Sequence, residues 1–321
     1  MEDEVKQMLV AGLNSSPKYI PCWYNYDDQG STLQQESGVL NQDYYLTRSQ
    51  ISFLQHRVQD IIPDVPNGLT LVDLGSGDCS KTRFVIDELI KRQSTLTFYP
   101  LDISGDFLLK AAAKLREEYG DSLAVFPVAS DYVQGINQLK QVKGAKLILW
   151  IGSMINLPYE DQISTLRLIS TMMTDQCRLV FTADITESRD VFLKAYNDDA
   201  GVKRTFYQYG VTRLNREEGS MINLDKFSYH LDFVRNTNPQ YMSYVTSYVV
   251  AKEDIQFTIP GLGIDLVMAK GEQLFFHEGE GLSCKYTLEQ LQTIVEKAGL
   301  RMIGSFKDTD KHVAFCQCAT K

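Results

Sequence analysis

The feature that most constrains the fold is an alternation of short apolar runs with longer helical patterns, which begins near residue 69. Continuous apolar runs are typical of strands that a parallel sheet buries on both faces, and the intervening helices are typical of parallel crossovers. The alternation therefore predicts a doubly wound α/β core. In chain order, the apolar runs are "LTLVDL", "TLTFYPLDIS", "SLAVFPVASD", "AKLILWIGS" and "CRLVFTADI".

The alternation stops between roughly residues 190 and 280, where "FSYHLDFV" and "MSYVTSYVVAKEDIQF" indicate strands of an inserted β-rich subdomain. The core resumes with a helix in "TLEQLQTIVEKAGL" and closing strands in "RMIGSF" and "HVAFCQC". The N-terminal segment looks irregular and is grouped with the insertion as a lid or pocket wall. The expected domains are a core of 49–189 and 287–321, and a substrate-binding domain of 1–48 and 190–286.

Charge and composition exclude several classes of function. A net charge of -9 opposes binding to nucleic acid, which depends on clustered Lys and Arg. No apolar run approaches the ~18 residues of a membrane span, and "MEDEVKQMLV" does not resemble a secretory signal, so we expect a cytoplasmic protein. The six cysteines show no CxxC spacing and the four histidines form no close ligand pair, so neither disulfides nor a metal site are expected.

The stretch "LVDLGSGDCSKTR", Leu71 to Arg83, breaks an apolar strand with two glycines, which lets backbone approach a ligand closely. Asp102 ends the next strand, where an acid can hold ribose hydroxyls. Asp102 lies further on than the ~20 residues expected for a dinucleotide site, and "GSGDCS" lacks a third glycine. An NAD-dependent oxidoreductase is therefore the disfavoured alternative.

Acids at three successive strand ends instead resemble a site for S-adenosylmethionine (SAM). Asp73 precedes the glycines, Asp102 follows the second strand and Asp131-Tyr132 follow the third. In such a site Gly75 and Gly77 approach the methionine moiety, Asp102 takes the ribose and Asp131-Tyr132 border the adenine. Strand-end polarity or helix capping would explain Asp102 or Asp131 taken singly.

Longer motifs resemble the Nα-methyltransferase family that includes the L-histidine methyltransferase of ergothioneine biosynthesis and the dimethylallyltryptophan N-methyltransferase of ergot-alkaloid biosynthesis. The resemblance implies a Rossmann-like SAM-dependent methyltransferase core with an inserted β-rich substrate-binding subdomain. The motifs that carry it are "PKYIPCWYNYDDQGS", "DYYLTR", "LGSGDCSKTR", "IGSMINL", "AYNDDAGV", "RLNRE" and "SCKYT".

The resemblance also implies roles for single residues. Tyr44 and Tyr196 match tyrosines that hold the substrate carboxylate, and Tyr26 and Asn156 match groups near the substrate amine. The motif "GSMIN" is one residue shorter than the family's "GSTIGN", which affects the placement of Asn156. Gly152 and Ser283 match positions that line the amino-acid site. The implied SAM contacts are Gly75, Lys81, Asp102, Asp131 and Tyr132.

These residue types suit methyl transfer to an amine, an in-line displacement that needs positioning and a dry site rather than a covalent nucleophile. Tyrosine hydroxyls can hydrogen-bond a carboxylate, and their ring faces can stabilise a methylated ammonium product. The expected partner is a small-molecule amine or amino acid, with no nucleic acid and no membrane. A monomer is compatible with this interpretation, although the sequence does not fix the oligomeric state.

Specificity is predicted from Gly281, which stands where histidine-specific members have a glutamate that reads the imidazole. A pocket methionine of those members is replaced by Tyr244 or Val245. We therefore expect an aromatic or imidazole amino acid, or a close derivative, without strict histidine specificity. The alternatives are an L-histidine Nα-methyltransferase making hercynine and a non-catalytic SAM-binding protein. Substitute polar contacts to an imidazole could come from His277, Glu278 or Glu280.

Overall fold

The computed structural model describes residues 2–64, 68–236, 238, 240–279 and 282–321, which form ten α-helices, six 3-10 helices and fourteen strands. The helices are α1 (Glu2–Asn14), α2 (Asp28–Leu40), α3 (Tyr45–Arg57), α4 (Thr82–Leu89), α5 (Gly105–Tyr119), α6 (Tyr132–Leu139), α7 (Tyr159–Ser170), α8 (Arg189–Tyr196), α9 (Val202–Glu217) and α10 (Leu288–Lys297). The strands are β1 (Lys18–Tyr19), β2 (Thr70–Leu74), β3 (Leu96–Asp102), β4 (Leu123–Val125), β5 (Val128–Ala129), β6 (Lys146–Trp150), β7 (Arg178–Asp184), β8 (Phe227–Val234), β9 (Tyr244–Ala251), β10 (Ile255–Ile259), β11 (Ile264–Met268), β12 (Gln273–Phe275), β13 (Leu300–Lys307) and β14 (Val313–Thr320).

The chain divides into two compact units, each assembled from separate stretches of sequence. The first unit comprises Met1–Tyr44, Arg189–Asn236 and Ser243–Ser283. The second unit comprises Tyr45–Ser188, Thr237–Met242 and Cys284–Lys321. Within the described ranges, no helix is long and apolar enough to cross a membrane.

The second unit is built on an eight-stranded sheet of order β13-β14-β7-β6-β2-β3-β4, with β5 paired to β3. Strands β4, β3, β2, β6 and β7 run parallel, and β14 and β13 close the sheet antiparallel. Every residue of β6, "KLILW", is buried, as expected for a strand covered on both faces. The predicted doubly wound, Rossmann-like α/β core is confirmed.

The direction of strand addition reverses between β2 and β6, because β3 and β4 follow on one side of β2 and β7 follows beyond β6. In open α/β sheets, a ligand binds outside the carboxyl ends of the strands at such a switch point. We call the carboxyl ends of β2, β3 and β6 the carboxyl edge. The sequence runs "GSGD", "ISGD" and "IGSMIN" continue directly from these three strands.

The first unit contains a four-stranded sheet of order β1-β12-β9-β8 and the two-stranded sheet β10-β11, so the predicted β-rich insertion is confirmed. The insertion also opens with two helices, α8 and α9, that the sequence analysis did not predict.

The description of the N-terminal segment as irregular was wrong, because it contains α1 and α2. Helix α2 begins where the Asp27 side chain accepts a hydrogen bond from the Gly30 N–H, and it buries Gly30 and Ser37 rather than an apolar stripe. A Cβ on Gly30 would lie 2.8 Å from the Tyr209 ring, so a close approach replaces the usual apolar contacts. Hydrophobic periodicity cannot detect a helix packed in this way.

Candidate functional site

The turn after β2 is a backbone cradle at the carboxyl edge. Gly75 and Ser76 donate their N–H groups to the Leu101 carbonyl at 2.8 and 3.0 Å, which fixes the turn against the end of β3. Gly75 has a φ of 71°, and a Cβ there would lie 2.7 Å from Ser153 Oγ and 2.9 Å from the Tyr132 hydroxyl. Only glycine fits, because the Ser153 and Tyr132 side chains already occupy this space and the φ angle is positive. A Cβ on Gly77 would instead face open space.

Asp102 closes the cradle from the end of β3. Its Oδ2 accepts a hydrogen bond from the Gly77 N–H at 2.8 Å, and its Oδ1 accepts one from the Ser104 N–H at 3.0 Å. Burial raises the pKa of this carboxyl above its ordinary value, although the hydrogen bonds from these N–H groups act to lower the pKa. The Ile103 backbone and the Ser104 side chain are also hydrogen-bonded to this carboxyl, so Asp102 is held by several neighbours at the end of β3.

Asp73, the acid before the glycines, is a buried support of the turn. The Thr82 hydroxyl donates to its Oδ2, which ties the end of β2 to the first turn of α4. Burial raises the pKa of Asp73 from 3.8 to about 6. The side chain therefore stabilises the position of the glycine turn rather than facing a ligand.

Lys81 lies beside the segment that follows β6. Its Nζ donates to Gln50 Oε1 and to the Ile151 carbonyl, both at 3.2 Å, and burial lowers its pKa. The Gly152 N–H donates to Thr182 Oγ1 at 2.8 Å, and a Cβ on Gly152 would lie 3.0 Å from Lys81 Nζ. The structure thus brings Lys81 and Gly152 together at the carboxyl edge.

Asp131 and Tyr132 begin α6. Asp131 caps the helix by accepting a hydrogen bond from the Gln134 N–H at 2.9 Å, so the capping explanation of this acid is observed. The Tyr132 ring lies edge-on to Trp150 at 5.6 Å, and burial raises its pKa to about 12. Its hydroxyl faces the space in front of Gly75, which places Tyr132 in the cradle wall.

Asn156 ends a short 3-10 helix, Met154–Asn156, which follows β6. Its N–H donates to the Ser153 carbonyl at 3.1 Å, and the neighbouring Ile155 carbonyl accepts from the Cys284 N–H at 2.8 Å. The shortened motif therefore still places Asn156 close in sequence and space to the carboxyl edge. All predicted residues of the second unit thus lie at this edge.

The first unit holds a cluster of buried hydroxyl groups, the tyrosine cluster, formed by Tyr44, Tyr196, Tyr207 and Ser283. The Tyr44 and Tyr196 rings meet edge-to-face at 5.5 Å, and the Tyr196 hydroxyl is hydrogen-bonded to Ser283 Oγ. Burial raises the pKa of Tyr207 well above its ordinary value, and the neighbouring tyrosines add to this effect. The Tyr207 phenol therefore keeps its proton at physiological pH. Tyr26 lies nearby, with its ring edge-on to Phe206 at 5.5 Å.

Lys203 is a member of this region that the sequence analysis missed. Its side chain is 1% exposed, and its Nζ lies 3.7 Å from the centre of the Tyr44 ring. The same ammonium donates to Gln34 Oε1 at 3.2 Å. The available signal was its place one residue after the motif "AYNDDAGV", but a lysine near a helix start is normally taken as solvated.

Strand β9 places the side chains of Tyr244 and Val245 on opposite faces of the sheet. In the β8–β9 register, Val245 pairs with Phe233 and Tyr244 pairs with Val234, and directly opposed residues share a face. Val245 is fully buried on the face that also carries Ser247, whose hydroxyl donates to Tyr229. Tyr244 lies on the opposite face, where it lines a groove of about 420 Å³. The structure therefore does not bring Tyr244 to the tyrosine cluster.

His277 lines the same groove as Tyr244 and is a neutral, hydrogen-bonded imidazole. Burial lowers its pKa from 6.5 to about 4. Nδ1 lies 3.1 Å from the Gly279 carbonyl, which can only accept, so Nδ1 carries the proton and Nε2 accepts from Thr246 Oγ1 at 2.8 Å. Glu278 accepts a hydrogen bond from the Cys22 N–H at 2.9 Å. Gly281 and Glu280 lie outside the described residues.

The part of the chain that the structure describes contains no group of three or more His, Cys, Asp or Glu side chains that could hold a metal ion. The groups that these residues do bring together are backbone N–H donors, hydroxyls, carboxylates and a buried ammonium.

Comparison with known proteins identifies the family of the chain. The family described as "Histidine-specific methyltransferase, SAM-dependent" matches residues 5–320. The histidine N-alpha-methyltransferase of Mycolicibacterium smegmatis is 27% identical, over 93% of this chain and 89% of the relative. The N-methyltransferase dtpB of Aspergillus flavus is 25% identical, over 96% and 87%. The 4-dimethylallyltryptophan N-methyltransferase easF of Trichophyton verrucosum is 23% identical, over 98% and 93%. The resemblance inferred from the motifs is confirmed: the chain belongs to the histidine-specific, SAM-dependent methyltransferase family and is a SAM-dependent N-methyltransferase.

Proposed function

We propose that this enzyme methylates the α-amino group of a free amino acid with an aromatic or imidazole side chain. The single observation that carries the proposal is the tyrosine cluster, a set of buried hydroxyl donors suited to a carboxylate. Relatives named for histidine and for dimethylallyltryptophan support an amino-acid acceptor of this kind. The second unit is proposed as the SAM-binding core and the first as the substrate-binding domain.

The residues at the carboxyl edge fit SAM, because two glycines with positive φ leave the turn without side chains and a Cβ on Gly77 would face open space. We assign the methionine moiety to the backbone of Gly75 and Gly77, with Lys81 beside it, and the ribose to Asp102. The adenine is assigned to Asp131 and Tyr132. When bound, SAM supplies an electrophilic sulfonium methyl group: the amine lone pair forms the N–C bond as the C–S bond breaks, giving a methylated ammonium and S-adenosylhomocysteine.

The chain's own residues bind and orient the amino acid. Tyr44 and Tyr196 donate to its carboxylate, and the hydrogen bond between Tyr196 and Ser283 orients the Tyr196 hydroxyl. Tyr26 and Asn156 are assigned to the amine, where an amide or phenol oxygen accepts an N–H and directs the lone pair. The nucleophile must be the neutral amine, so a dry site that disfavours the ammonium form assists the reaction. Gly152 lines the amino-acid site through its backbone.

Strict histidine specificity is not proposed, because Gly281 replaces the glutamate that pairs with the imidazole. Val245, on the same face as Ser247 and Tyr229, is the proposed wall of the side-chain pocket, which replaces Tyr244 in that role. The second candidate is methylation of histidine itself to hercynine, favoured by the family description and by the M. smegmatis relative.

The test is a mass-spectrometric screen of purified protein with SAM against free amino acids and their decarboxylated amines. We expect methylated products from tryptophan, tyrosine, phenylalanine or histidine, and tight binding of S-adenosylhomocysteine by calorimetry. Binding without turnover of any amine would support the non-catalytic SAM-binding alternative. Exclusive turnover of histidine would establish the second candidate.

We also propose the cellular compartment, the partners and the oligomeric state of the enzyme. All six cysteines are buried free thiols, which suits the reducing cytoplasm. The net charge of -9 supports the absence of a nucleic-acid partner. A monomer is proposed, and size-exclusion chromatography with light scattering tests it.

A further inference from the structure

We propose that Asn41 is a positioning residue for the substrate carboxylate, because its side chain links the backbone at Tyr44 to the backbone at Tyr196. The inference rests on the proposed function of the tyrosine cluster and adds to it a residue that acts through both tyrosines. Asn41 is buried in the first unit, directly after the end of α2.

The amide oxygen of Asn41 holds the backbone that leads into Tyr44. Oδ1 accepts hydrogen bonds from the Asp43 N–H at 2.9 Å and from the Tyr44 N–H at 3.1 Å. The backbone carbonyl of Asn41 also accepts from the Tyr44 N–H at 3.1 Å. An asparagine oxygen that accepts from the backbone two residues later forms a local turn, so the position of the Tyr44 backbone is set by this side chain.

The amide nitrogen of the same side chain holds the end of α8. Nδ2 donates to the Ala195 carbonyl at 2.8 Å, and both residues are buried. Ala195 lies in the last turn of α8, where backbone carbonyls need partners from outside the helix. Ala195 is joined to Tyr196 by a peptide bond, so this hydrogen bond fixes the backbone at the second tyrosine.

The spacing of the two tyrosines matters because both are assigned to one carboxylate. Tyr44 and Tyr196 lie far apart in the sequence, yet their buried rings meet edge-to-face at 5.5 Å. A hydroxyl binds a carboxylate over a narrow range of distances, about 2.5–2.7 Å between the oxygens. A displacement of about 1 Å can therefore weaken binding or catalysis strongly. Asn41 prevents such a displacement by holding both backbones with one rigid amide group.

A second link joins the same two segments, but it lies on the surface. Lys194 of α8 forms an ion pair with Asp43 at 2.9 Å, and both side chains are exposed. Exposed ion pairs contribute little, because water and salt screen them. The loss of a buried hydrogen bond costs more, because the Ala195 carbonyl would lose its donor away from water. The two links thus predict different effects when each is removed.

The alternative is that Asn41 only supports the fold of the first unit. The experiment uses Asn41→Asp, which keeps the turn-forming oxygen but replaces the donor to Ala195 by a second acceptor. The matched control is Lys194→Met, which removes the exposed ion pair between the same segments. For each protein, kcat and KM are measured separately on three pairs: histidine with histamine, tryptophan with tryptamine, and phenylalanine with phenethylamine. Thermal unfolding and calorimetric titration with S-adenosylhomocysteine accompany the kinetics.

We expect Asn41→Asp to raise KM for the amino acids by about 10- to 100-fold, the scale of one hydrogen bond to a charged group. Their kcat should change less than about threefold, because the carboxylate is bound equally in the ground state and the transition state. The amines carry no carboxylate, so their KM should also change less than about threefold. In a protein that carries Tyr44→Phe and Tyr196→Phe, adding Asn41→Asp should have little further effect on the amino acids, because the residues act as one unit. S-adenosylhomocysteine affinity should stay unchanged, and Lys194→Met should behave as wild type.

Equal losses for amino acids and amines, or an undiminished effect in the protein that lacks both tyrosine hydroxyls, would overturn the proposal and leave Asn41 a structural role. An unchanged KM for the amino acids, or an equal effect of Lys194→Met, would overturn it as well. If wild type methylates no member of the panel, the proposed function fails. Calorimetric binding of the amino acids to wild type and Asn41→Asp, with S-adenosylhomocysteine present, then decides the role of Asn41, and equal or absent binding removes that role. If Asn41→Asp does not fold, Asn41→Ser, which keeps a turn-forming oxygen, is used in its place.

Discussion

Replacing Asp102 by Asn should weaken cofactor binding strongly, and the structure explains how. The two carboxylate oxygens accept from two different backbone N–H groups, those of Gly77 and Ser104. An amide has one acceptor oxygen, so its NH₂ group would face one of these donors. The variant thus disturbs the glycine turn and also removes the charged acceptor proposed for the ribose.

The magnitude follows from the bonds that are lost. Two ribose hydroxyls donate to a charged acceptor, and each such bond contributes about 1.5–3 kcal/mol when well shielded. Asp102 keeps some contact with solvent, so we expect the two hydrogen bonds together to contribute about 2–4 kcal/mol to the binding free energy. At about 1.4 kcal/mol per tenfold, the dissociation constant should rise by about 30- to 1,000-fold.

The assay is calorimetric titration with S-adenosylhomocysteine, which binds without turnover, beside thermal unfolding. The matched control is Asp78→Asn in the same turn, whose carboxylate accepts local hydrogen bonds from the Ser80 N–H and hydroxyl. We expect the control to bind almost as wild type does. An Asp102→Asn protein that is folded and binds within about twofold of wild type would refute the ribose assignment.

The remaining predictions concern stability, the substrate carboxylate and specificity. Because burial raises the pKa of Asp73 from 3.8 to about 6, the folded state holds a proton that the unfolded state has released. The contribution of Asp73 to the free energy of unfolding should therefore fall by about 3 kcal/mol as pH rises from about 4 to 6, so in denaturant titrations the difference between wild type and Asp73→Asn should change by that amount; parallel curves would contradict it. Tyr196→Phe should lower kcat/KM for amino acids by about 10-fold without changing S-adenosylhomocysteine affinity, whereas the control Tyr209→Phe should change neither. Gly281→Glu should raise histidine turnover relative to tryptophan by about 1–3 kcal/mol in transition-state binding, and unmoved ratios would show that Gly281 does not set specificity.

The sequence predicts the second unit well because burial on both faces produces long apolar runs, and β6 is a direct example. It predicts the first unit less well because close packing of small residues, such as Gly30 against Tyr209, leaves no apolar stripe. Helix α2 is consequently missed when periodicity is the only guide.

The site residues likewise divide into those that the sequence predicts and those that only the tertiary structure reveals. Ends of parallel strands meet at one edge, so acids and glycines that follow strands can be grouped from the order of residues alone. Asp73 is the exception, because only the hydrogen bond from Thr82 shows that it supports the turn. The burial of Lys203 is tertiary information, since it depends on Tyr44 and Gln34, which are far away in the sequence.

Strand β9 shows how a one-residue ambiguity becomes a structural difference. Side chains alternate along a strand, so exchanging Tyr244 for Val245 moves the pocket residue to the other face of the sheet. The pairing of Phe233 with Val245 supports our proposal of Val245 as the pocket residue, because Phe233 packs on Phe192 of α8 at 4.2 Å, and α8 ends at Tyr196. A substrate side chain beside the tyrosine cluster would therefore meet valine where histidine-specific members have methionine. Valine is shorter than methionine, so this wall leaves more room for a bulky ring, which is the physical basis for expecting substrates larger than histidine.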